Sequence, residues 1–138
     1  MEVIYDLVRP DKTSFDMATL VQELDALPFV FRNPVGLAVK LHPDEITFAV
    51  APTPEYAQLE QTRFDAGWYQ MGGPYTLGSI TIRPTFITVN QFTGQTTLDQ
   101  MQHVLVPIME RYDCQIINEY NLDITDRYRP DLTQLFGD

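Results

Sequence analysis

Residues 2 to 8 alternate: Val3, Tyr5 and Leu7 fall on one side, Ile4 and Asp6 on the other, and Pro10-Asp11 supplies a stop. A period of two sends successive side chains to opposite faces of a sheet, so this stretch predicts a strand. Thr13-Ser14-Phe15-Asp16 then places an acid three residues after a hydroxyl, close to a capping box, and predicts a helix over 14–27. Met17, Leu20, Val21, Leu24 and Leu27 share its apolar face, Gln22, Glu23 and Asp25 its polar one, and Pro28 opposes continuation.

Phe29-Val30-Phe31 is a short apolar run interrupted by Asn33-Pro34. Residues 35–41 and 46–51 flank His42-Pro43-Asp44-Glu45 and predict a hairpin whose turn places the Asp-Glu pair in solvent. Thr53-Pro54-Glu55 supplies a cap hydroxyl and a proline at the first helical position, and Tyr56, Leu59 and Arg63 follow at helical spacing up to Gly67. That predicts one short helix, followed by a loop over Trp68 to Tyr75, where Gly72-Gly73-Pro74 breaks either regular structure. From Ser79 to Phe92 a β-branched and aromatic stretch alternates with Thr81, Arg83, Thr85, Thr88 and Asn90, but slips by one between Phe86 and Ile87. The slip, two residues after Pro84, predicts a bulge in an edge strand, or two strands meeting at a bend.

Thr96-Thr97-Leu98-Asp99 repeats the hydroxyl-to-acid cap, and Leu98, Met101, Leu105, Ile108, Met109 and Tyr112 trace the stripe of a second long helix with Val104 beside it. Pro107 predicts a kink, with the helix surviving to about Arg111. Cys114 to Tyr120 reads as a last strand, and residues 123–138 as a polar tail with a terminal turn at Pro130-Asp131-Leu132. Strand, helix, hairpin, variable segment, long strand, helix, strand is an α+β order. It predicts a two-layer sandwich of the ferredoxin-like, split βαβ kind: helices on one face of a mainly antiparallel sheet, in a single domain over 1–138 with an insertion at about 53–77.

Composition narrows the function. A chain of 138 residues, 44% of them hydrophobic, has enough sequence for one core without metal or disulfide. Nineteen acidic residues against nine basic give a net charge of −10, which argues against a partner tracked through its phosphates, nucleic acid or anionic membrane, and leaves basic or neutral protein faces open. No apolar run approaches the roughly 18 residues needed to cross a bilayer, and Met1-Glu2-Val3-Ile4 carries no basic leader. With a lone cysteine, Cys114, the expectation is a soluble, cytoplasmic protein.

Catalytic and cofactor signatures are weak throughout. Cys114 follows Asp113 and opens an apolar strand, whereas reactive thiolates favour cationic neighbours, so it reads as a structural cysteine. His103 lies among Gln100 and Gln102 on a helix and reads as solvent-facing; His42, beside Asp44 and Glu45, reads as part of a solvated turn. Two histidines and one cysteine lack zinc-ligand spacing, no calcium-loop pattern occurs, and the expectation is no metal and no cofactor. Gly72-Gly73 leads to no helix that could hold a phosphate, and neither serine, Ser14 nor Ser79, sits in a nucleophile elbow.

One region stands out. Residues 66–98 hold no acid and a single base, Arg83, in a chain that is 20% charged. Trp68, Tyr69, Met71 and Tyr75 put amphipathic rings and a soft thioether on glycine-rich backbone, a composition favoured at recognition surfaces. Thr81, Arg83 and Thr85 would project from the strand face opposite Ile80 and Ile82. The leading expectation is therefore a non-catalytic protein-interaction module that docks onto another macromolecule, in the manner of an inhibitor, immunity protein or chaperone. The alternative is a small-ligand or enzyme module whose pocket, on the open sheet face or across a homodimer, is lined by Tyr75, Thr81, Arg83 and Thr85, with Arg83 neutralising an anion.

Overall fold

A computed structural model describes residues 2–11, 13–32, 44–66, 76–92, 95–120 and 122–125. The chain runs β1 (Glu2–Val8), α1 (Met17–Asp25), β2 (Val30–Arg32), β3 (Ile46–Val50), α2 (Pro54–Asp65), β4 (Gly78–Ile82), β5 (Ile87–Phe92), α3 (Gln95–Tyr112) and β6 (Gln115–Asn118). The fold is α+β: one open, antiparallel six-stranded sheet in the order β2-β3-β4-β5-β1-β6, with three helices. The first strand thus lies between two of the last.

Strand alternation produces two unlike faces. One row across the sheet pairs Phe48 with Ile80, Ile80 with Val89 and Val89 with Tyr5, and all four are buried. α1 and α3 close on this face: Leu20 and Leu24 of α1 and Met101, Val104, Leu105, Ile108 and Met109 of α3 join the same core. Each such side chain, fully buried, contributes about 1.5–3 kcal/mol. The Tyr5 hydroxyl donates to Gln91 Oε1 within this core, and burial pushes its pKa well above the ordinary tyrosine range. Gly78 is held to glycine by the backbone of β5, because a Cβ there would meet the Asn90 carbonyl oxygen at 2.5 Å.

The third helix packs elsewhere. Phe31, Ala49, Ala51 and Ala57 form a separate cluster, and Phe31 and Ala49, which pair across β2 and β3, alternate with the core-facing Val30 and Val50. α2 therefore lies against the face opposite α1 and α3, and the expectation of helices on one face holds only for α1 and α3. Among the described side chains of α2, Ala57 and Glu60 are buried, whereas Tyr56 and Leu59 are exposed, Leu59 by 53%. Ala57 is the residue that lets this helix approach Phe31 closely, and the larger Tyr56-Leu59-Arg63 stripe points away from the cluster.

Local chemistry moves some boundaries. The cap of α1 is Asp16, which accepts from the Thr19 backbone N–H, so the helix begins at Met17 and not at Ser14. Hydrogen bonds from Thr19 hold the Asp16 carboxyl below the usual carboxylate range. Thr53 caps α2 as expected, its hydroxyl accepting from Tyr56 N–H. α3 continues through Pro107, flanked by four buried apolar residues, and ends where Asp113 turns left-handed at φ 49° and Cys114 N–H reaches back to the Met109 carbonyl. The 79–92 stretch is neither an edge strand nor bulged: β4 and β5 are interior strands joined by residues 83–86, with Arg83 N–H donating to the Phe86 carbonyl. Ile82 pairs with Ile87, five positions on, and that odd spacing is the slip in alternation. Pro84 sits in the connection, where the ladder needs no donor. In the expected 35–51 hairpin, the first arm and the His42-Pro43 turn lie outside the described residues; the second arm is β3, whose described partners are β2 and β4.

Candidate functional site

The face opposite the core carries a polar row. Thr47 pairs with Thr81, Thr81 with Thr88, Thr88 with Asp6 and Asp6 with Ile117, one residue from each of β3, β4, β5, β1 and β6. The Thr47 and Thr81 hydroxyls are 3.0 Å apart, and the Thr88 hydroxyl donates to Asp6 Oδ1 at 2.7 Å. Arg83, just past β4, donates from Nη1 to the Thr88 hydroxyl at 2.7 Å. Its Nε lies 3.5 Å from Glu45 Oε1, and its guanidinium stacks 4.4 Å from the Phe86 ring centre. Arg83 is 1% exposed and Glu45 4%. Two opposite charges taken out of water need partners at close range: Arg83 has Glu45, the Thr88 hydroxyl and the Phe86 ring, although its Nε is buried without a hydrogen bond.

Next to this network is a groove of about 560 Å³ lined by Asp6, Val8 and Arg9 of β1 and its end, Thr85 and Phe86 of the β4–β5 connection, and Gln115 and Ile117 of β6. Three apolar side chains form one part of its lining, and Asp6, Arg9, Thr85 and Gln115 the polar part. Arg9 is already engaged: its Nη1 donates to the Ser14 carbonyl at 2.6 Å, its Nε lies 4.0 Å from Asp11, and its guanidinium sits 5.2 Å from the Tyr112 ring centre. Asp6 is half-buried; its Oδ1 takes the Thr88 hydroxyl, and no cation among the described residues lies within ion-pair distance of it.

Among the described residues, the outward N–H groups of both edge strands, β2 and β6, have partners. The outward N–H groups of β2 are those of Val30, which donates to the Leu27 carbonyl, and Arg32, which donates to Gln61 Oε1 of α2. At the other edge, residues 122–125 fold back along β6: Asn118 N–H donates to the Leu122 carbonyl, Ile116 N–H to the Thr125 hydroxyl, and Ile124 N–H to the Ile116 carbonyl. The start of the expected polar tail is therefore a sheet-edge cover. Satisfied edges offer no ready template for an added strand.

The sequence-predicted site residues divide three ways. Trp68, Tyr69, Met71 and Tyr75 lie outside the described residues. Thr81 and Arg83 are brought together on the polar face but buried, with Arg83 committed to Glu45, so an anion-neutralising Arg83 is replaced by an internal ion pair. Thr85 is exposed and lines the groove. Glu45 is buried where its turn position predicted solvent, whereas Asp44 is exposed as expected. Asp6, Arg9, Gln115 and Ile117 were not singled out by pattern. The available signal was an acid at mid-strand, where acids are depleted, flanked on the same face by apolar Ile4 and Val8. Cys114 is a buried free thiol.

Among the described residues no group of three or more His, Cys, Asp or Glu could hold a metal ion, and no helix is long and apolar enough to cross a membrane. Comparisons with protein-family models, curated proteins and solved structures found no match for this chain.

Proposed function

We propose that this protein is a non-catalytic interaction module that docks onto another protein through the polar face of its sheet. The observation that carries the reading is the groove: an apolar lining of Val8, Phe86 and Ile117 set in polar surroundings, on the sheet face opposite the core that α1 and α3 cover. Closed edges point to side-chain insertion and not strand addition as the mode of contact. The net charge of −10 speeds encounter with a basic partner. A cytoplasmic location belongs to the same proposal and is supported by the single reduced cysteine.

The frame behind the groove is read as split βαβ, ferredoxin-like. The order β6-β1-β5-β4 with α1 and α3 supplies its four strands and two helices, and β2, β3 and α2 form an annex at one edge. On this reading the annex, and not residues 53–77 alone, is the insertion within a single domain.

A photo-crosslinking side chain at position 115, compared with one at exposed Glu110 on α3, tests the docking surface. Crosslinks to a partner in cell extract are expected at 115 and not at 110, and Gln115→Arg should abolish capture while shifting Tm by no more than a degree or two. Capture that survives Gln115→Arg, or that crosslinks at 110, overturns the proposal. The groove's volume also lies within the range of small-molecule sites, which supports a second reading as a small-ligand or enzyme module. Stabilisation by a metabolite class in a thermal-shift screen, lost in Gln115→Arg, would favour it.

A further inference from the structure

We infer that Asp6 is the recognition carboxylate of the groove and that its occupant is a lysine side chain of the partner protein. This rests on the docking reading above and adds the chemistry of the contact. Asp6 stands at mid-strand in β1 with its Oδ1 fixed by the Thr88 hydroxyl, which is itself fixed by Arg83 Nη1. A chain of two 2.7 Å hydrogen bonds therefore holds the carboxylate in one orientation before any ligand arrives, which removes part of the ordering cost of binding.

The charge of the groove is not balanced in the same way at its two ends. Arg9 is neutralised by Asp11, tied to the Ser14 carbonyl and stacked on Tyr112. Asp6 receives a neutral hydroxyl and has no cation beside it among the described residues. Arg83 is directed to Glu45 and reaches Asp6 only through Thr88. The unmet charge in the groove is thus negative, in a chain of net −10, and the complementary group is a cation.

Two features select an ammonium over a guanidinium. A bidentate arginine shares its fork between both carboxylate oxygens, and the Thr88 hydroxyl already takes one of the two lone pairs of Asp6 Oδ1 and crowds that oxygen, so Oδ2 is the more open acceptor. That oxygen suits a single point donor. Val8, Phe86 and Ile117 then offer apolar surface to a four-methylene stem, the part of lysine that packs while its head stays polar.

The test uses the full chain and four capped amino acids as probes: N-acetyl N′-methylamides of lysine, arginine, norleucine and glutamate. Backbone amide shifts of Asp6, Val8, Gln115 and Ile117 are followed by NMR as each is titrated. Lysine should shift these amides saturably, norleucine and glutamate should bind about tenfold more weakly or not at all, and Asp6→Asn should reduce lysine binding to the norleucine level. Thr88→Val, which releases Asp6 from its tether, should weaken lysine binding by a smaller factor. Arginine binding more tightly than lysine, equal binding by norleucine, lysine binding unchanged in Asp6→Asn, or no binding by any probe overturns the inference. The docking reading stands apart from that result, because Gln115→Arg tests it with the partner protein itself.

Discussion

The two faces of the sheet come from the same strands, one residue out of phase, and they are held by different physics. On one face Phe48, Ile80, Val89 and Tyr5 lie in a row under α1 and α3 and exclude water by apolar area, with the Tyr5 hydroxyl paired to Gln91. On the other, the neighbouring row is Thr47, Thr81, Thr88 and Asp6, tied by hydroxyl pairs and backed by the Glu45–Arg83 ion pair, while Arg83 Nε and Asn90 Oδ1 are buried without a hydrogen-bond partner. The first face tolerates any apolar side chain of suitable volume. The second depends on each polar atom meeting its own partner, because an orphaned buried charge costs more than a lost methyl group. A face of that kind is expensive to build for stability alone, and it is the one that carries the groove.

The sharpest way to break this comparison is to remove the charge at its centre. Arg83→Ala takes away the guanidinium that lies 3.5 Å from buried Glu45 and donates to Thr88 and should cost about 3–5 kcal/mol in urea unfolding, whereas Arg83→Met, which fills the volume, should cost clearly more on this face than a like-sized apolar swap such as Leu105→Met costs on the other. Equal losses for the two methionine substitutions would show that the faces do not differ as described. A smaller effect follows from Thr88→Val, which preserves shape but deprives both Arg83 Nη1 and Asp6 Oδ1 of their partner; about 1–3 kcal/mol is expected, by the same measurement.

The smallest effect is the acid limb of stability, which belongs to the periphery and not to either face. Asp25 is held below the usual carboxylate range by its hydrogen bonds from Arg32, and Asp16 and Asp123 by Thr19 and Thr125. A carboxyl whose folded pKa is depressed stabilises the protein above its unfolded pKa, and that contribution fades as pH falls through the folded value. The urea midpoint should therefore decline as pH drops from about 5 to about 3, and Asp25→Asn should flatten the decline. Because the Asp25–Arg32 pair is exposed by more than two-fifths on both sides and screened by salt, its share should stay under about 1 kcal/mol.

Much of the fold was legible in the pattern. β1 matches its predicted span, α1 and, from Met101 on, α3 carry the predicted stripes, and Thr53 caps α2. The hairpin of β4 and β5 was half visible: the slip in alternation was real, but a bulge and a turn leave the same trace until the pairing of Ile82 with Ile87 is known. The buried face of α2 was not legible, because Ala57 and Glu60 do not look like a core stripe, and only the cluster with Phe31, Ala49 and Ala51 marks Ala57 as its packed position. Of the groove, Thr85 alone was anticipated. Its other members come from β1, the β4–β5 connection and β6, which are far apart in sequence and meet only through strand order.

Periodicity, caps and charge, all local or additive properties, determined that this chain would form strands and amphipathic helices, bury one side of each, and carry a strongly acidic surface. Tertiary structure alone decided that Glu45 would leave its turn to meet Arg83, that Thr88 would link Arg83 to Asp6 across 82 positions of sequence, and that the edges would be covered by Gln61 and residues 122–125. The reason is one of distance. Alternation tells each residue which side of the sheet it takes, but the identity of its neighbour on that side is set by which strands pair and in what register, and no local stretch of sequence contains that information.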